Sequence, residues 1–136
     1  MQYDDQKTEY VPGTCNIGPQ EIARRYRTAV AGLVLSVLFI MIVEASDVPG
    51  SMRLLIFFPA LLITSGIIQA MYRFCLAYGW RGVFSVKEYR TPQRITDPAY
   101  LRADRKMAVR QAIRVVLAAS GIAVCYYLLA KLVEAG

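Results

Sequence analysis

Three long apolar runs constrain the fold of this chain more than any other feature of its sequence. They cover residues 28–43, 54–72 and 115–130, and charged segments separate them. The second run has 19 residues without a charge. As a helix it would be about 28 Å long, which nearly matches the hydrocarbon core of a bilayer at about 30 Å. The other runs have 16 residues each, and basic residues at their ends can extend their reach to the interface. The runs predict an all-α integral membrane protein with three transmembrane helices.

The composition supports a membrane protein over the two main alternatives. Hydrophobic residues make up 56% of the 136 residues and charged residues only 19%. Intrinsic disorder requires the opposite balance, because a disordered chain has too little apolar surface to bury. A soluble globule would need a polar shell around three apolar helices, and this chain has too few polar residues to supply one.

Helix start and turn signals divide the chain further. Pro19 is suited to a first helical position, Pro49-Gly50 is typical of a turn, and Asp97-Pro98 is a capping residue followed by a helix-starting proline. No glycine or proline follows Pro98 until Gly121, so the third helix should extend well outside the membrane. The predicted segments are a loop at 1–18, a helix with the first span at 19–46, an outer turn at 47–52, the second span at 53–76, a connection at 77–97, and a long helix ending in the third span at 98–133.

The distribution of lysine and arginine predicts the orientation. The N-terminal segment and the long connection together contain fourteen of these residues, whereas the opposite side has only Arg53 and Lys131. Because basic residues accumulate on the cytoplasmic side, the N-terminus and the connection are predicted to be cytoplasmic. The expected location is the plasma membrane (the inner membrane in a bacterium), with several spans and no cleavable signal peptide, since the first 27 residues are polar.

Reactive groups are scarce. The chain has no histidine and three cysteines, Cys15, Cys75 and Cys125, none at metal-ligand spacing. Ser51, Ser85 and Cys15 have no histidine or other evident base beside them. Asp104 is followed by Arg105 and Lys106, which predicts ordinary ion pairing for it, and Asp97 and Glu88 are interpreted in the same way. We therefore expect no catalytic residues, no metal site and no cofactor, although the sequence leaves cofactor-binding residues unknown.

Several polar features have two interpretations. The segment GTCNIGP at 13–19 is either a simple loop or an anion-binding loop, although it matches no specific phosphate motif. Glu21 and Arg25 are spaced as a mildly stabilising helical pair. Glu44 and Arg53 could pair across the outer turn, or Glu44 could relay protons.

Pro59 in the second span predicts a kink.

The candidate contact residues form two groups, one basic and one small. The basic stripe is Arg102, Lys106, Arg110 and Arg114, at four-residue steps along one side of the long helix. It is either a solvated face that follows from topology, or a docking surface for anionic lipid headgroups or an acidic partner. Nucleic acid is not expected as a partner. The second group consists of Gly66, Ala70, Ala119 and Ala123, which allow close helix approach within the chain or against another chain, together with Gln69, which should face protein.

These observations predict a non-catalytic accessory or scaffold subunit of a larger membrane complex, whose partners are other membrane protein subunits. The alternative is a small homo-oligomeric transporter or channel, with a path lined by Gln69, Thr64 and Ser120. A membrane enzyme or cofactor-carrier subunit is a third, weaker hypothesis.

Overall fold

A computed structural model describes residues 9–86 and 92–136 of the chain. The predicted all-α fold is confirmed, and three helices are long and apolar enough to cross a membrane. In chain order the elements are α1 (Pro19–Ala45), a 3₁₀ helix (Gly50–Ile56), α2 (Phe57–Tyr72), α3 (Leu76–Arg81), β1 (Val83–Phe84), β2 (Gln93–Arg94) and α4 (Pro98–Ala135). Lys7, Lys87, Glu88 and Arg90, which contributed to the sequence-based interpretation, lie outside the described residues.

Helices α1 and α2 form a tightly packed antiparallel hairpin. A side chain at Gly66 would collide with the carbonyl oxygen of Arg25 and the backbone of Ala29. A side chain at Gly32 would meet the backbone nitrogen of Ile63 at 2.7 Å. The two glycines therefore allow the helix backbones to approach more closely than larger residues would permit.

The second span begins as a 3₁₀ helix and becomes α-helical at Phe57. Pro59 therefore lies in the first turn of α2 and not in its interior, where the kink was predicted. A proline is well tolerated there, because the first N–H groups of an α-helix have no partner within the helix. The helix ends at Tyr72, since Arg73 adopts a left-handed conformation with φ of 52°.

Helix α4 is continuous over 38 residues. It begins at Pro98, where the carboxylate of Asp97 accepts a hydrogen bond from the N–H of Ala99 at 2.8 Å. Its buried side chains recur every three or four residues, as expected for one face of a helix. They are Asp104, Ala108, Gln111, Val115, Ala119 and Ala123.

Candidate functional site

The N-terminal segment is folded onto one end of the helical bundle. The backbones of Val11 and Cys15 form an antiparallel β-bridge, and those of Ile17 and Ser85 form a parallel one. Strands β1 and β2 form a short antiparallel ladder beside them. We call this assembly the cap: residues 9–18, α3, β1 and β2, packed on the first turns of α4. Segment 9–18 has little helix or strand of its own, but it is fixed by contacts with distant parts of the chain.

Asn16 joins the segment to the α2–α3 junction. Its side chain is fully buried. Its amide oxygen accepts a hydrogen bond from the N–H of Cys75 at 2.6 Å, and its amide nitrogen donates to the Cys75 carbonyl at 3.1 Å. Its backbone N–H donates to the carbonyl of Arg73, and its carbonyl accepts from the N–H of Ser85. Asn16 thus satisfies backbone groups of two other segments, which would otherwise be buried without partners.

Asp104 holds the start of the segment against α4. Its carboxylate is fully buried and accepts hydrogen bonds from the N–H of Gly13 at 2.6 Å and the hydroxyl of Tyr10 at 2.9 Å. Burial, together with this hydrogen bond, raises the pKa of Tyr10 above its ordinary value of 10.0. The interpretation of Asp104 as an ordinary ion-paired residue was therefore wrong. Asp104 makes no ion pair with the described residues and instead accepts hydrogen bonds from Tyr10 and Gly13 of the N-terminal segment.

The hydrogen bonds of the cap argue against the anion-binding interpretation of residues 13–19, because five backbone N–H groups of this segment are already bonded within the protein. The N–H of Gly13 donates to Asp104, and those of Thr14 and Cys15 donate to Val11. The N–H groups of Asn16 and Gly18 donate to Arg73 and Ser85. An anion-binding loop requires free N–H groups that converge on the ligand. Here these donors already bind protein acceptors.

Glu21 lies inside the protein, and Arg25 is partly buried beside it. Glu21 is 1% exposed. Its carboxylate lies 3.9 Å from the guanidinium groups of Arg24 and Arg25 and accepts no hydrogen bond from the described residues. Arg25 donates a hydrogen bond to the sulfur of Cys75 at 2.9 Å. Burial, and secondarily the Glu21 charge, raises the pKa of the neighbouring Tyr78. The pair therefore contributes to the interior where α1 meets the cap.

Polar side chains within the spans bond to their own chain. Gln69 is 5% exposed; its amide nitrogen donates to Ser65, and its amide oxygen accepts from the N–H of Leu76. The hydroxyl of Thr64 donates to the carbonyl of Ala60 at 3.0 Å and also contacts the carbonyl oxygen of Val115 at 3.2 Å. These two side chains, two of the three proposed to line a path between subunits, therefore lie within one bundle.

The small residues among the predicted contacts also lie inside the chain. Gly66 faces α1, and Ala70, Ala119 and Ala123 are each less than 5% exposed. Their close-packing contacts are made between helices of this chain. A partner would have to contact other residues, such as the large aliphatic side chains on the outer faces of the helices.

The basic stripe has a different environment. Arg102, Lys106 and Arg110 are exposed, whereas Arg114 is partly buried. The Arg114 guanidinium lies 4.5 Å from the ring centroid of Tyr72. None of the four forms an ion pair with a residue that the structure describes. One guanidinium nitrogen of Arg114, Nη1, is buried and has no hydrogen-bond acceptor among those residues.

The opposite end of the bundle has a second polar cluster. Arg53 binds Glu44 through two nitrogens, at 2.8 and 3.1 Å, and donates to Glu134 at 2.7 Å. The hydroxyl of Tyr126 donates to Glu44 at 2.6 Å. The predicted Glu44–Arg53 pair is therefore formed, and it also binds α4. The cluster borders an open surface groove of about 240 Å³. The Glu44 and Arg53 side chains bond within the chain, which is typical of a structural ion pair.

No group of three or more histidine, cysteine, aspartate or glutamate side chains in the described ranges could hold a metal ion. The chain matches no protein-family model, no curated protein and no solved structure. The functional interpretation therefore depends on the cap, the basic stripe and the apolar helix faces.

Proposed function

We propose that this chain is a non-catalytic accessory or scaffold subunit of a larger membrane complex, and that the exposed basic face of α4 beside the cap is its docking part. In this proposal the N-terminus and the cap face the cytoplasm of a cell whose plasma membrane the chain spans three times, as the excess of basic residues indicates. The observation that supports a docking role is the continuous helix α4, which carries the exposed cations Arg102 and Lys106 beyond the third apolar run.

The distances along α4 separate the cations that lipid can bind from those it cannot. Arg114 directly precedes the third apolar run, so it marks the edge of the hydrocarbon. At 1.5 Å per residue, Arg110 is about 6 Å farther out, within a headgroup layer about 5–8 Å thick. Taken along the membrane normal, Lys106 is about 12 Å from Arg114, between Arg102 and the headgroup layer, and Arg102 is about 18 Å from Arg114, hence roughly 10 Å beyond the headgroups. That exceeds the Debye length of about 8 Å at physiological ionic strength. Lipid charge therefore gives Arg102 little stabilisation, and an acidic protein surface is the better partner for it.

The polar groups of the spans favour a scaffold over the alternative, a homo-oligomeric transporter. A path between subunits requires polar side chains on the outer surface of each subunit. Thr64 and Gln69 bond within their own bundle, while the outer faces carry aliphatic side chains such as Leu117 and Met71. Such faces suit lipid or the apolar surface of another membrane subunit.

The test is co-purification of the full chain from its native membrane in mild detergent, with charge-reversed variants. The double variant Arg102→Glu, Lys106→Glu should lose its partner several-fold, and more strongly at low salt, where charge interactions are least screened. The matched control is Arg81→Glu, Arg94→Glu, which makes the same change in net charge at exposed cap residues outside α4. The control should retain the partner.

Two results would refute the proposal. One is a wild-type chain that runs on native gels only as a self-oligomer and passes a solute when reconstituted alone in liposomes. The other is a partner lost equally from both double variants, since that would reflect net charge and not a docking surface on α4.

A further inference from the structure

We infer that Arg114 and Tyr72, with Arg110 one turn away, form a binding site for the phosphate of an anionic phospholipid in the leaflet on the cap side. The inference concerns the part of α4 at the membrane boundary and is independent of the partner proposed above. The occupant is a lipid headgroup, identified by its charge and by its depth in the membrane.

The geometry of Arg114 supports an anionic ligand. Its guanidinium is stacked 4.5 Å from the Tyr72 ring centroid, which holds the planar group in one orientation. It forms no ion pair with a described residue, so its charge has no counter-ion in the described part of the chain. Nη1 is buried, so a phosphodiester would accept hydrogen bonds from the other guanidinium nitrogens, which can donate two in parallel. Arg110 is exposed on the same side of α4 and supplies a second cation.

The surroundings of Arg114 select a lipid from among anionic ligands. Tyr72 is 43% exposed at the end of α2, as expected for an aromatic residue at the membrane interface. Leu117 is three residues after Arg114, on the same side of the helix, and is 66% exposed. A ligand with a phosphate at Arg114 and an acyl chain along Leu117 would match both surfaces. A free phosphate would use the first surface alone.

The experiment uses the purified full chain in phosphatidylcholine bilayers with spin-labelled phosphatidylglycerol or spin-labelled phosphatidylcholine as the probe. The fraction of immobilised probe gives the relative affinity of the two lipids. The wild type should prefer phosphatidylglycerol. Arg114→Gln should reduce that preference about fivefold, the ratio that corresponds to about 1 kcal/mol for one basic residue at the membrane surface. Arg114→Lys keeps the charge but loses the planar guanidinium that can donate two parallel hydrogen bonds, so it should give an intermediate preference.

Arg102→Gln is the matched control, because it removes the same charge from the same helix about 18 Å away. It should leave the preference unchanged. The inference is overturned if Arg102→Gln lowers the preference as much as Arg114→Gln does, if phosphatidylcholine binds the wild type equally well, or if inorganic phosphate at matched ionic strength displaces the lipid. Should Arg114→Gln fail to fold, the wild-type comparison and Arg114→Lys still decide the question.

Discussion

Replacing Asn16 by alanine should release the cap from the helical bundle while leaving the three long helices assembled. Asn16 is the only asparagine of the chain, and its side chain satisfies both backbone groups of Cys75. The substitution removes both partners at a position that is fully buried. The helix contacts at Gly32 and Gly66 lie elsewhere and should persist.

The size of the effect follows from the two backbone groups that lose their partners. Each unsatisfied buried group costs about 1–3 kcal/mol, so the closed cap should be destabilised by about 2–6 kcal/mol. Because 1.36 kcal/mol corresponds to a factor of ten, the open population should increase at least about 30-fold. The increase has a ceiling, since the cap cannot be destabilised beyond the point at which it is fully open.

Alkylation of Cys75, followed by mass spectrometry of its peptide, measures this opening. Cys75 is 1% exposed, so a reagent reaches it only when the cap opens, and the labelling rate follows the open population. Cys15 is a second reporter, because it is buried and burial raises the pKa of its thiol. Both rates should rise in Asn16→Ala. Thr14, an exposed residue of the same segment, provides the control. Thr14→Ala should change the labelling rate of neither cysteine appreciably.

The reasoning is wrong if Asn16→Ala labels Cys75 within twofold of the wild-type rate, or if Thr14→Ala accelerates labelling as much. Cys125 is exposed on the outer face of α4 and belongs to the long helices. Its labelling should be the same in all three proteins. A change at Cys125 would mean that the whole bundle, and not the cap alone, had been disrupted.

Three further predictions concern packing, protonation and topology. Gly66→Ala should lower the thermal midpoint, because its Cβ would meet backbone atoms of α1, whereas Gly121→Ala, with no neighbouring atom within 4 Å, should leave the midpoint unchanged or raise it slightly. Tyr10 has a raised pKa in the folded protein, so the cap should lose stability as the pH rises past about 10, the pKa of a free tyrosine. The difference in tyrosinate absorbance between the wild type and Tyr10→Phe should show that Tyr10 ionises at a higher pH than a free tyrosine. An impermeant thiol reagent outside intact cells should label Asp47→Cys but not Arg81→Cys, and the reverse pattern would invert the proposed orientation.

The number and type of the long elements could be predicted because each depends on a local property. An apolar run of sufficient length satisfies its backbone hydrogen bonds as a helix, whatever it packs against. A glycine within such a run carries no comparable information. Gly66 and Gly121 occur in similar apolar sequences, yet a side chain at Gly66 would collide with α1 and one at Gly121 would meet no atom. Only the packed structure distinguishes them.

The cap could not be predicted because its bonds join residues far apart in sequence. Asn16 bonds Cys75, 59 positions away, and Asp104 bonds Gly13, 91 positions away. Asp104 also shows why a linear charge pattern misleads. Residues one and two positions apart on a helix do not face each other, so Arg105 and Lys106 are exposed while Asp104 points inward.

Polar side chains within the spans bond to their own helices, whereas exposed cations occur outside the spans. This difference indicates where the chain can recognise another molecule. Within the spans, Ser36 and Thr64 donate to carbonyl oxygens four residues earlier in their own helices. In the membrane orientation proposed above, these bonds satisfy both hydroxyls at a depth where no water is present. The outer faces of the helices carry aliphatic side chains. Such faces can select one lipid or helix over another mainly by how closely the two surfaces pack. Directional contacts, in which a wrong partner leaves a charge unpaired, require donors and acceptors at the surface. On the long helix, the exposed side chains of Arg102 and Lys106 meet that requirement, so reversing both charges should weaken partner binding even when the cap stays closed.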